Sequence, residues 1–178
     1  MKKKIKKKAK PRLIPLGCLR TQVIEEPISE DGHPENLRLE LDKALDCARK
    51  TLTHFGEQAP VVILYSCEKK MIMELDIRDD RSKAVAKGAV KAIVDKLQAT
   101  AAVFVCEAWV RPAGSISKED PRRVEALVAS AKNRNGHLTA MQRFHLLSNG
   151  HFFFEAPEIF QLDENSSAND IWLGSLQF

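Results

Sequence analysis

The chain has 178 residues, 44% of them hydrophobic and 29% charged, a composition that suits one globular domain with short extensions and excludes a collagen-like repeat or a wholly disordered chain. No apolar run approaches the eighteen or so residues needed to cross a bilayer, so no transmembrane segment is expected. The net charge of +4 conceals an asymmetry: residues 1–12 hold eight of the 28 basic residues and no acid, which leaves 20 basic against 24 acidic residues, a net of −4, in the rest.

The first segment, MKKKIKKKAKPR, reads as a disordered basic tail, because like charges this dense repel one another. Lys2, Lys3, Lys4, Lys6, Lys7, Lys8, Lys10 and Arg12 are the candidate nucleic-acid-binding residues, since such a run attracts polyanions by counterion release whatever their sequence. A purely solubilising role and an anionic membrane surface are the competing readings. The lysines are followed only by LIPLGCL, broken by Pro15 and Gly17, which does not read as a secretory signal. Cys18, Cys47, Cys67 and Cys106 are far apart with no CxxC, the usage of reduced thiols rather than of a disulfide framework. A cytoplasmic protein is therefore expected.

Residues 13–35 contain Pro15, Pro27 and Pro34 and the turn-like SEDGHPEN, and are read as an extended lead-in with little regular structure. From Asn36 the pattern changes. Leu37, Leu41, Ala44, Leu45, Ala48, Leu52 and Phe55 recur at steps of three and four, one face of an amphipathic helix that Gly56 ends. VVILYS and MIMELDI, joined by CEKK, predict a hairpin. Asp79, Asp80 or Ser82 caps a second helix whose apolar positions are Val85, Ala86, Ala89, Val90, Ile93, Val94 and Leu97.

The remaining chain predicts four strands: ATAAVFVCEAWV, RRVEALVASAK, HLTAMQRFHLL and HFFFE, the last three joined by Asn135-Gly136 and Asn149-Gly150, strong signals for two-residue turns. The expected fold is a single α+β domain over residues 36–157, with two helices packed on one face of a mostly antiparallel sheet of about six strands in the order α-β-β-α-β-β-β-β. Residues 158–178, acidic at first and closing with IWLGSLQF, are expected to dock on that domain.

Glu107 stands out because it places a carboxylate near the end of an otherwise apolar strand. Alternation sets Val103, Val105, Glu107 and Trp109 on one face. With two-residue turns at both Asn-Gly pairs, Leu127 pairs with Phe144, Glu125 with Leu146, and Ser148 with His151. A polar row of Glu107, Trp109, Arg123, Glu125, Ser148 and His151 then gathers at one end of the sheet. Its bland role is a cross-strand ion pair. Its functional role is a small pocket in which Trp109 stacks, Arg123 holds an anion and Glu107 lines the wall.

Glu107, Arg123, Glu125, Ser148 and His151 have residue types suited to hydrolysis, but no GxSxG elbow accompanies them. No catalytic residue is assigned on this basis. His33, His54, His137, His145 and His151 show no HExxH or zinc spacing, and neither phosphate loop, GxxxxGK or GxGxxG, occurs. Neither a metal nor a cofactor is expected. Phe152, Phe153, Phe154 and IWLGSLQF offer apolar surface for core packing or for a protein partner or homodimer.

The succession VFVCEAWV, an intervening loop and DPRRVEALVASAKNRNG resembles a pattern of uncharacterised bacterial α+β proteins with no assigned function, carried here by Glu107, Ala108, Trp109, Asp120, Pro121, Arg123 and Glu125. The resemblance covers about a third of the chain and implies the fold class alone. The expected function is a non-enzymatic interaction module with a nucleic-acid-binding tail. The alternative is a small-ligand-binding or hydrolytic domain built on the polar row.

Overall fold

A computed structural model describes the backbone of residues 12–16, 19–27, 36–67, 69–111, 121–162, 173 and 176, and the side chains among these from residue 36 onward. Among the described residues the order is β1 (Arg12–Leu16), β2 (Leu19–Pro27), α1 (Leu37–Phe55), β3 (Val61–Tyr65), β4 (Lys69–Glu74), α2 (Asp80–Leu97), β5 (Ala101–Val110), β6 (Val124–Asn133), β7 (Gly136–Leu146), β8 (Phe152–Phe154) and β9 (Glu158–Gln161). The strands form one sheet in the spatial order β1-β2-β4-β3-β5-β6-β7-β8, with β9 also on β7. All the pairings are antiparallel. This is a single α+β domain with the expected succession of elements from α1 to β8.

Local chemistry explains the element ends. The side chain of Asn36 accepts from the Leu39 N–H to start α1, and Gly56, at φ 81°, ends it with its own N–H on the Leu52 carbonyl. Asp79 and Ser82 form a reciprocal capping box at the start of α2. Gln98 closes that helix in the left-handed region at φ 49°, a conformation uncommon for a residue with a Cβ. Leu37, Leu41, Ala44, Leu45, Ala48 and Leu52 of α1 are buried. Phe55, which continues the same spacing, is 73% exposed because it lies on the last turn, past the edge of the packed face.

The two helices lie on opposite faces of the sheet, which corrects the expectation of a single covered face. α1 packs with Ala101, Val103, Val105, Leu127, Ala129 and Ala131. The α2 residues Ala86, Val90 and Val94 pack with Val62, Leu64, Ala102 and Phe104. The two sets alternate along β5, and side chains alternate faces along a strand. Burial on both faces is why AAVFV reads as a continuous apolar run: Ala101, Ala102, Val103, Phe104 and Val105 are all buried. The hydroxyl of Tyr65, on the α1 face, donates to the Glu40 carboxylate and ties that helix to β3.

Three further strands correct the estimate of about six. The lead-in contains β1 and β2, and β2 pairs with β4 from Val23↔Met73 to Pro27↔Lys69; residues 28–35 lie outside the described residues. Arg12 opens β1, so the strand begins inside the segment read as a basic tail, whose other residues are not described. At the far end, Leu138 to Met141 of β7 pair with Gln161 to Glu158 of β9, and Phe144 to Leu146 pair with Phe154 to Phe152 of β8. Leu173 and Leu176, 1% and 2% exposed, belong to the apolar cluster beneath α2, and the Leu176 carbonyl accepts from Lys132 Nζ at 2.7 Å.

Neither turn is centred on its Asn-Gly pair as expected: the first keeps two residues but moves back by one, and the second has three. Asn133 pairs with Gly136, so Arg134 and Asn135 form the first turn. The cause is Asn133 itself, whose Oδ1 accepts from the N–H groups of Asn135 (2.8 Å) and Gly136 (3.1 Å) and so replaces the positive φ that an Asn-Gly turn would need. Register shifts by two, setting Leu127 opposite Gln142 rather than Phe144. In the second turn Leu147 donates to the His151 carbonyl, and Gly150, at φ 79°, donates back to Leu147. The loop is therefore three residues long, Ser148 to Gly150. This slip of one reverses the faces of β8 and puts Phe152 and Phe154 against the α1 cluster.

Candidate functional site

The end of the sheet where β5 finishes is built by the exit of α1 and the start of β3. After Gly56 the chain crosses back over β5, and the N–H of Gln58 donates to Glu107 Oε2 at 3.3 Å. Glu107 lies on the α1 face opposite Leu127, and the next position on that face, Trp109, lies opposite Glu125. Arg123, just before β6, stacks on Trp109 with its guanidinium carbon 4.5 Å from the ring centroid, a cation–π contact. Trp109 is still 55% exposed. A recess beside Glu107 is lined by Glu57, Gln58, Pro60, Glu74, Asp76 and Ile77.

This setting raises the Glu107 pKa above the usual carboxylate value, chiefly because partial burial removes water from the charge, with the nearby Glu125 and Glu57 charges adding to it and the Gln58 N–H opposing it. A raised folded-state pKa means that the folded chain holds the proton more tightly than the unfolded chain. Stability therefore falls as pH rises from the unfolded carboxylate value through the folded one. Glu107→Gln, which keeps an acceptor for Gln58 without the charge, is expected to raise the melting temperature at pH 7 and to lose that advantage near pH 4. A melting series over that range checks it; equal melting temperatures at pH 7 would count against a destabilising charge.

Glu107, Trp109, Arg123 and Glu125 are brought to the same end of the sheet, but Ser148 and His151 do not join them. Ser148 is exposed in the three-residue loop, and His151 pairs with Leu147 at its base, exposed, after the slip that turned β8 over. The polar row is thus a four-residue group. Asp120, which completes the Asp-Pro-x-Arg-x-Glu pattern, lies outside the described residues, as do Lys2, Lys3, Lys4, Lys6, Lys7, Lys8 and Lys10. Cys106, on the other face of β5, has its thiol pushed up to about 12, mainly by burial, and is suited to packing rather than nucleophilic chemistry.

Sequence reasoning missed a second polar group on that other face. Ser130 Oγ lies 2.7 Å from His137 Nε2 and 2.9 Å from Thr139 Oγ1. Cross-strand parity of β6 and β7 contains the signal, since Ser130 pairs with Thr139 and Lys132 with His137. Ser130 is 1% exposed, and its hydroxyl is shared between two side chains, which is how buried hydroxyls are satisfied. His145 is exposed and bonds Glu155 Oε1 at 2.8 Å. Among the described residues no group of three or more His, Cys, Asp or Glu side chains is placed to hold a metal ion. Among the described residues, no helix is long and apolar enough to cross a membrane. The chain matches no protein-family model, no curated protein and no solved structure.

Proposed function

We propose that this protein is a non-enzymatic interaction module of the cytoplasm, whose folded part binds a protein partner through the Trp109 end of the sheet. In this reading the Lys-rich residues 1–12 add sequence-independent affinity for nucleic acid. The observation that carries it is the exposure of Trp109 at 55% under a stacked Arg123. Tryptophan and arginine are the residue types that dominate binding energy at protein interfaces. Leu146, 63% exposed at the end of β7, extends the apolar surface at the same end. Cys47, Cys67 and Cys106 are free thiols, in keeping with a reducing compartment.

A photoreactive phenylalanine analogue at position 109, with a control at exposed Lys91 on α2, tests the docking surface in living cells. A covalent adduct of defined mass from position 109 and none from position 91 is the expected result. No adduct from either position removes the reading. For the basic segment, fluorescence anisotropy with generic DNA and RNA is expected to show affinity that falls steeply with salt and is lost when its seven lysines become glutamine. Binding that survives this change would assign the nucleic-acid site to the folded part.

A further inference from the structure

The geometry points to a binding site for a linear polyamine in the recess beside Glu107, independent of the Trp109 surface. The recess has a volume of about 450 Å³ and is lined by Glu57, Gln58, Pro60, Glu74, Ile77 and Glu107 among others, a size within the range of small-ligand pockets. Glu57, Glu74 and Glu107 form no ion pair among the described residues, whereas Asp76 beside them is held by Arg78 at 2.7 Å. Acids elsewhere are neutralised locally: Glu40 by Lys43, Asp42 by Arg38, Asp46 by Lys50 and Glu158 by Arg143. Glu57 and Glu74 are exposed and Glu107 is partly buried. Burial and the Glu57 and Glu125 charges disfavour the ionised form of Glu107, so an arriving cation gains more there than at an exposed carboxylate.

Gln58 is the independent sign of a ligand. It is 7% exposed, its N–H is used on Glu107, and its Nε2 donates to the Ala59 carbonyl at 2.6 Å. Its Oε1 has no partner among the described residues, although buried side-chain polar atoms are nearly always hydrogen-bonded. A buried acceptor at the wall of an acidic recess calls for a cationic donor, and an ammonium group carries three N–H bonds. The spread of the carboxylates then selects the kind of cation. Glu74 pairs with Val61, which pairs in turn with Val105, two residues before Glu107 on the same face. Glu74 and Glu107 therefore stand on the strands either side of β3, at least about 10 Å apart at the backbone. Among the described residues no three acidic, histidine or cysteine side chains are placed to hold one metal ion. Pro60, at the entry of β3, and Ile77 supply apolar wall, which methylene groups cover as a lysine stem covers apolar surface. A chain of methylenes with ammonium groups along it meets the separated carboxylates, the apolar wall and the spare acceptor together.

Isothermal titration calorimetry of the full chain with spermidine at pH 7 tests this, with magnesium chloride as a cation that carries charge without methylenes. The wild type is expected to show a single saturable site that magnesium at equal charge does not occupy. Glu107→Gln is expected to weaken binding at least about tenfold, the scale of a lost hydrogen bond to a charged group, and Glu74→Gln by less, because that carboxylate is exposed. Asp95→Asn, at an exposed acid of α2, and Trp109→Ala are expected to leave the affinity unchanged. Circular dichroism confirms that each variant is folded. Absence of a saturable site overturns the proposal. So does equal competition by magnesium, which would reduce the effect to charge screening, or a Glu107→Gln chain that binds as the wild type does. The chain whose seven lysines in residues 1–12 become glutamine separates a free polyamine from a lysine of the chain itself: unchanged affinity supports the polyamine, and markedly tighter binding gives the recess to one of those lysines and overturns the polyamine as its occupant.

Discussion

Phe104→Ala is expected to lower the unfolding free energy by about 3–5 kcal/mol, the usual cost of emptying a buried phenylalanine site. Phe104 is 1% exposed and belongs to the apolar cluster formed with Val62, Leu64, Met71 and Met73 from the sheet and Val90 and Val94 from α2. Strands on both sides hold the backbone at this position through β5, so collapse of the site is restricted and the upper part of that range applies. Domains of this size have total stabilities of about 5–15 kcal/mol. A single residue therefore decides more than half of the stability at the low end of that range and up to about a third at the high end. Equilibrium unfolding in urea measures it, with the midpoint falling at unchanged slope. Trp109→Ala is the matched control, since its ring is mostly in water and its loss is expected to cost less than about 1 kcal/mol. A Phe104→Ala loss no larger than that control would mean that α2 does not pack on this face.

The second large effect concerns the C-terminal leucines. Leu173 and Leu176 are as buried as the centre of the domain, and their cluster is the one beneath α2 rather than the one beneath α1. Leu173→Ala is expected to cost about 2–5 kcal/mol, the range for a buried leucine. Joining it to Leu176→Ala should cost less than the sum of the two, since the residues share neighbours. Amide hydrogen exchange supplies the spatial check. Protection is expected to fall in α2, which shares their cluster, and to hold in α1. Equal loss of protection in both helices, or none in either, would separate these leucines from that core.

The elements legible in the sequence were those whose signal is local. The three-and-four spacing from Leu37 to Leu52, the Gly56 stop and the Asp79–Ser82 cap specify α1 and α2 through backbone groups a few residues away. The β3–β4 hairpin was legible for the same reason. Alternation also put Glu107 and Trp109 on one face correctly, because the period of a strand does not depend on its neighbours. The neighbours of that pair were less legible. Asn133 captured two turn N–H groups with its own side chain and moved the β6–β7 register by two, which keeps faces but changes partners. The three-residue loop before β8 moved register by one, which exchanges faces, and so His151 left the group that includes Glu107.

By itself, then, the sequence determined the α+β class, the helix limits, the six strands from β3 to β8 and the separation of a cationic first segment from an acidic remainder. The tertiary structure alone decided that the helices take opposite faces, that prolines at 15 and 27 are accommodated in β1 and β2 at the edge of the sheet, and that β9 completes β7. Hydrophobic periodicity reports that a surface must be buried, not which element buries it. An apolar run such as AAVFV is satisfied equally by one helix with a loop or by two helices on either side, and only the full set of competing contacts chooses between them. The candidate site follows the same division: its residues were visible as an interrupted apolar strand, and their company was settled by two turns whose geometry depends on one side chain and one glycine.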